Sequence, residues 1–333
     1  MESHNISRNS NRSQKIPKVF ILTSRQTSNS TLSDIWESFT GLFKKTDEIV
    51  EAKVEQPKDS VRFQLCKCPK TKNANYCDNI DFLLEKTKAK NDKRSKELYF
   101  KLVKMHDKSL DINDENLRQI KKDTTRTYPS TVSFNQKEKI LQKLENVLTA
   151  FSNYDNRIKY CQGMNFIVGF FLYHCEEHIA FWIFVSLIEE YDLRNIFMEN
   201  FPGLKLHVKR VEAILKNEYL SYWENFEKIG VKVEIFMVEW LFSLFSSIIP
   251  LELQMEFFKG FFCEGWKFFY KMCLSCILSL NGNFSQDDEI YIALKNGKKE
   301  DKKNKEENKN IWKNIIKKAY TIEIKTDVMK INI

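Results

Sequence analysis

Two short polar stretches interrupt the apolar pattern with residue types that could orient a guanidinium and hold a water against an anion. The first is Ile120-Lys121-Lys122-Asp123-Thr124-Thr125-Arg126-Thr127-Tyr128-Pro129. Asp123 and Arg126 are three positions apart, so on one helical turn the carboxylate can orient the guanidinium. Pro129 stops that turn and leaves Arg126 close to a helix end. The second stretch is Tyr160-Cys161-Gln162-Gly163-Met164-Asn165. It presents Gln162 beside a flexible glycine at the mouth of an apolar segment. A carboxamide both donates and accepts, which suits it to hold a water against an anion. Singly, each stretch also fits a plainer role: a surface ion pair worth under about 1 kcal/mol, and an ordinary cap and turn.

The elements that must position these groups are helices. Only 9 Gly and 6 Pro occur in 333 residues, well under half of the roughly 12% that is usual. Sandwiches, barrels and doubly wound sheets need turn residues far more often. The 26 Phe, 12 Tyr and 6 Trp supply bulky material for helix packing. Ile140, Leu141, Leu144, Val147, Leu148 and Phe151 recur with helical period, after a capping box at Asn135 and Glu138. Segments 164–175 and 179–191 are apolar on most faces, as for buried helices. Further helices are expected from Leu98 through Met105, from Leu206 to Tyr219, over 234–249, and from Ile311 to about Tyr320. Ser285 and Asp288 suggest another helix start. The short amphipathic stretch from Ile35 and Trp36 to Phe43 stands apart from these.

Composition and charge narrow the function further. The chain contains neither a G-x-x-x-x-G-K-[ST] nor a G-x-G-x-x-G pattern, so the common phosphate-cradling loops are absent. The net charge is +8, but residues 131–290 alone carry −6, and the basic excess lies in the flanks. That distribution argues against nucleic acid as the partner. The N-terminal residues lack a secretory pattern, and no apolar run is long and clean enough to span a membrane. The eight Cys then read as reduced thiols of a cytoplasmic protein.

Taken together and in this order, IKKDTTRT at 120–127 and YCQGMN at 160–165 resemble the two signature motifs of the TBC-domain family, the GTPase-activating proteins of Rab GTPases. Ala180-Phe181-Trp182, the stretch Phe236 to Phe245 with Trp240, and Phe261 to Gly265 are similar to further family segments. The likeness runs from about residue 95 to 325. It departs from the family at Leu32 to Trp36, which keeps only the tryptophan of the usual opening, and at Phe258-Lys259, where the family has W-D.

The resemblance implies an all-α fold of two packed helical subdomains. Residues 1–30 would be a disordered tail and 31–94 a variable segment. Residues 95–202 would form the N-terminal subdomain with both catalytic side chains. Residues 203–325 would form the C-terminal subdomain, with a lysine-rich solvated loop at 297–310, and 326–333 a tail. It implies that Arg126 and Gln162 act as fingers supplied to a Rab-type GTPase in its GTP-bound state. Asp123, Thr127, Tyr160, Gly163 and Asn165 would support them. The chain would have no GTPase activity and no cofactor of its own, since the partner carries the GTP and magnesium. It would regulate vesicle trafficking from the cytoplasm, with peripheral contact to intracellular membranes through its basic flanks. The alternative within the same fold is a catalytically silent module that binds a GTPase or scaffold.

Two metal patterns compete with this reading. His174-Cys175-Glu176-Glu177-His178 matches H-x-x-E-H, a zinc-peptidase pattern that needs both histidines on one helix. It falls at a polar junction between two apolar segments, where a turn is expected. Cys66, Cys68 and Cys77, with His106 as a distant fourth ligand, match no common zinc spacing.

Overall fold

Apolar stripes of helical period become helices throughout the computed structural model, which describes residues 79–106, 115–128, 138–280 and 305–331. In chain order these are α1 (Asn79–Thr87), α2 (Lys93–His106), α3 (Glu115–Thr125), α4 (Glu138–Tyr154), α5 (Met164–His174), α6 (Glu177–Glu190) and α7 (Arg194–Phe197). They continue as α8 (Pro202–Glu218), α9 (Leu220–Ile229), α10 (Glu234–Phe242), α11 (Gln254–Glu264), α12 (Trp266–Ile277) and α13 (Lys305–Ala319). No strand occurs among the described residues. The expected N-terminal tail, the Ile35–Phe43 stretch, Cys66, Cys68 and Cys77, Asn135, the Ser285–Asp288 start and residues 297–304 lie outside them.

The stripe read on α4 makes that helix the axis of the N-terminal half. Leu144, Val147, Leu148 and Phe151 are buried, and α2, α3, α5 and α6 all pack around them. Phe151 meets Phe184 of α6 edge to face, with ring centroids 4.8 Å apart. In the C-terminal half, α12 lies between α11 and α13, while α8 packs on α7, α9 and α10. The halves join through aromatic rings. Phe258 of α11 stacks on Phe170 of α5 at 4.5 Å and 12°. The residue at the family's W-D position is thus fully buried core, and Lys259 turns outward to pair with Glu256 at 3.2 Å.

Three sequence expectations change. Order begins before Leu98: α1 buries Phe82 and Leu83 and packs on α6 and α11. Its signal is weak because only one narrow face is apolar. The helix expected over 234–249 ends at Phe242, because Leu244 and Phe245 take left-handed conformations with φ of 45° and 61°. Such geometry costs about 1–2 kcal/mol per non-glycine residue, and both side chains are completely buried in return. Finally, the expected loop at 297–310 overlaps α13, which starts at Lys305. Lysine and glutamate form helices well without apolar neighbours. Glu306 and Glu307 in the first turn, with Lys317 and Lys318 in the last, complement the helix dipole. No helix among the described residues is long and apolar enough to cross a membrane.

Candidate functional site

Helix α3 ends at Thr125, and the chain turns over Arg126 and Thr127 through N–H bonds to the carbonyls of Asp123 and Thr124, each 3.2 Å. Tyr128 follows at φ 49°. This turn sets Arg126 at the helix end with its guanidinium 2.5 Å from Asp123 Oδ1, the arginine side chain one-third exposed and the aspartate buried. A carboxylate with no exposure is tolerated only when its oxygens are occupied. Gln119, one turn earlier, donates from Nε2 to Oδ1 and Oδ2 at 3.0 and 3.1 Å. Tyr160 donates its hydroxyl to Oδ2 at 2.6 Å. Burial, reinforced by the Asp123 charge, pushes the Tyr160 phenol well above its usual range, so it remains a donor.

The second motif closes a ring of bonds onto the first. Asn165 is fully buried. Its Oδ1 accepts from the Gly163 N–H at 3.0 Å and lies 3.2 Å from the Tyr160 hydroxyl. Its Nδ2 donates to Thr127 Oγ1 at 2.9 Å, and Thr127 in turn donates to the Asp123 carbonyl at 2.8 Å. Asp123, Thr127, Asn165 and Tyr160 therefore form one frame, with Arg126 and Gln162 each adjoining it in sequence. Every bond is worth only about 0.5–1.5 kcal/mol net. Their geometry, however, permits one arrangement of the two loops.

Gly163 explains why the second loop cannot drift. Its φ is 109°, and a Cβ there would lie 2.5 Å from the Phe242 carbonyl oxygen. The Phe242 ring is held between Phe197 and Phe201, at 5.9 and 5.1 Å. The early end of α10 thus brings C-terminal backbone against the Gln162 loop. Gln162 itself is half-buried, and its Oε1 has no hydrogen-bond partner among the described residues. Cys161 has its thiol pushed up to about 12 by burial and the nearby Asp123, so it is no nucleophile at neutral pH.

All seven residues singled out in the sequence fall in this one place. Three contributors were missed. Gln119 and Asn116 lie one and two turns before Asp123 on α3, a spacing that could have revealed them. Asn116 Oδ1 accepts the Tyr160 N–H at 3.0 Å. Phe242 acts through its main chain and left no signal in its residue type.

The zinc-peptidase pattern dissolves in the structure. His174 is the last residue of α5, Cys175 is extended at φ −149°, and His178 belongs to α6. The two histidines do not share a helix. Among the described residues no group of three or more His, Cys, Asp or Glu is placed to hold a metal.

Comparison with known proteins places the chain in one family. The sequence model of the Rab-GTPase-TBC domain matches residues 75–286. The chain is 31% identical over 156 residues to a Caenorhabditis elegans protein described as Rab GTPase-activating protein eat-17, covering 47% of this chain and 17% of that one. It is 30% identical over 163 residues to the human ecotropic viral integration site 5 protein homolog, covering 49% and 20%. The match thus spans about a fifth of either relative's length. The crystal structure of a Chlamydomonas flagellar RabGAP TBC domain superimposes with a TM-score of 0.57 at 19% identity, over 86% of this chain and 91% of that one.

Proposed function

The chain belongs to the Rab-GTPase-TBC domain family, and on that premise we propose that it stimulates GTP hydrolysis by a Rab-type small GTPase in its GTP-bound state. The reading rests chiefly on the closed frame of Asp123, Thr127, Tyr160 and Asn165, which holds Arg126 and Gln162 next to one another's motifs. In a GTPase, charge gathers on the phosphate oxygens as the γ-phosphoryl departs, and water must be held in line. Arg126 would swing onto those oxygens from Asp123, which aligns the guanidinium beforehand. Gln162 would accept from the attacking water through Oε1, which has no hydrogen-bond partner among the described residues, and donate to the γ-phosphate from its amide. The partner would bring the GTP and magnesium. The protein would work from the cytoplasm, at the surface of membranes that carry the Rab, and so regulate trafficking.

Single-turnover GTP hydrolysis across a Rab panel tests this. Wild type should accelerate at least one Rab, and Arg126→Ala should remove about 10³-fold or more of that acceleration. Gln162→Ala should also lose most of it. Stimulation that survives both substitutions would refute the two-finger reading. Binding without stimulation by wild type across the panel would favour the silent module.

A further inference from the structure

We propose that the outward face of α2, Lys93–His106, is a docking surface for an anionic lipid bilayer. This surface does not involve Arg126 or Gln162, and it stands or falls separately from GTP hydrolysis.

The orientation of α2 is fixed by its inner face. Ser95, Tyr99 and Leu102 are buried. Tyr99 packs on Phe181 at 5.2 Å, and the Trp182 indole donates to the Ser95 carbonyl at 3.1 Å. Asp92 caps the helix through the Ser95 N–H at 3.0 Å. Everything opposite must then face outward.

That outward face combines two properties that a solvated helix does not need together. The first is charge. Residues 86–104 contain eight Lys or Arg against Asp92 and Glu97 alone. Lys93, Arg94, Lys96, Lys101 and Lys104 on the helix are all exposed, as are Lys88 and Lys90 just before it, the latter with its ammonium 4.7 Å over the Trp182 ring. Lys93 lies 3.9 Å from Glu97, and Glu176 feels the charge of Lys96, so the carboxylates nearby are fewer than the cations. The second is apolar surface. Leu98, Phe100 and Met105 are 40%, 37% and 49% exposed. Leu98, Lys101 and Met105 fall at i, i+3 and i+7 and form one edge, while Glu97, Phe100 and Lys104 form the next. Glu97, Phe100, Lys101, Lys104 and Met105 line a groove on this face.

The occupant must supply negative charge along the whole helix, about 21 Å, and accept three apolar tips between the cations. A leaflet of anionic lipids does both without shape matching. The apolar side chains enter the headgroup boundary while lysine stems reach back to the phosphates. The chemistry of the cations agrees with this choice. Six of the seven are lysines, point charges on flexible stems that suit a diffuse field, not the planar forks that recognise a particular carboxylate. An acidic protein would need a ridge that matches the spacing of these side chains, whereas a leaflet of lipids needs none.

Co-sedimentation of the full chain with vesicles decides the matter. Phosphatidylcholine vesicles should leave the protein in solution, and vesicles containing phosphatidylserine should pellet it, less so as salt is raised. Combined Lys93→Glu, Lys101→Glu and Lys104→Glu should weaken that binding about a hundredfold. Combined Leu98→Ser and Met105→Ser should weaken it about tenfold with the salt dependence kept. Circular dichroism checks that each variant is folded. If the charge reversals unfold the protein, the corresponding Lys→Gln changes replace them, and the wild-type salt titration stands on its own. The proposal is overturned if wild type ignores anionic vesicles, binds neutral ones equally, or binds as tightly after either set of changes. It is also overturned if the substitutions merely dissociate a wild-type dimer, or abolish binding to an acidic protein with no effect on lipid.

Discussion

The polar frame around Asp123 and the aromatic layer of α11 and α12 are both buried, yet they are held in opposite ways. Around Asp123 the contacts are few, polar and directional. Around Phe258 the contacts are many and interchangeable, with Phe170, Phe171, Phe257 and Phe262 all within ring-contact distance. Apolar packing contributes by area and tolerates small rotations. A buried polar frame contributes little net energy but becomes costly when incomplete. The first kind of region sets whether the protein is folded. The second sets where two side chains point.

The comparison is broken most easily at its apolar end. Phe258→Ala should cost about 3–5 kcal/mol, read as a lower urea midpoint, because it opens a cavity between α5 and α11. Below its unfolding temperature the variant should still stimulate its GTPase nearly as wild type does. If stimulation is lost while the fold persists, Phe258 also shapes the Gln162 loop, and the two regions are not separable. At the polar end, Tyr160→Phe should cost less, about 1–3 kcal/mol. It removes the donor to Asp123 Oδ2 while Gln119 and Arg126 remain. Its effect on single-turnover stimulation should exceed that of Phe258→Ala. The reverse ranking would mean that the frame is ordinary core.

The same contrast explains what could be read before the structure. The apolar stripe of α4 and the buried segments at α5 and α6 were legible because burial writes itself into residue type at every third or fourth position. The start of α13 was not, since its first turn is made of charged residues, with Glu306 and Glu307 exposed. The end of α10 was hidden for the opposite reason: Leu244 and Phe245 look like more of the same helix, and their left-handed turn arises from tertiary packing. At the site, Asp123 and Arg126 announced themselves by spacing, and Gln162 by its neighbour Gly163. The Phe242 carbonyl that forces glycine at 163 belongs to the main chain, so no residue identity could encode it.

The smallest expected effect concerns a polar inclusion within the aromatic half itself. His207 is buried, with its ring 3.9 Å from that of Trp266 and its Nδ1 2.7 Å from the Tyr270 hydroxyl. Arg210 donates to the same phenol oxygen at 3.2 Å. The imidazole is neutral at physiological pH, and either ring tautomer can share a hydrogen with the phenol. Burial, and then the Arg210 charge, push the His207 pKa down to about 3. The unfolded chain takes up that proton near pH 6.5, whereas the folded one does not. Stability should thus be complete above about pH 6.5 and fall on acidification by up to about 1.4 kcal/mol per pH unit. His174, pushed down to about 4 by burial, adds to this in the same direction. His207→Gln keeps an acceptor for Tyr270 and removes the proton, so urea midpoints measured from neutral to mildly acid pH should decline less steeply than in wild type. An unchanged slope would place the acid-sensitive group elsewhere. The aromatic half would then carry its one buried histidine without electrostatic cost, and the division between apolar and polar regions would lose its sharpest internal test.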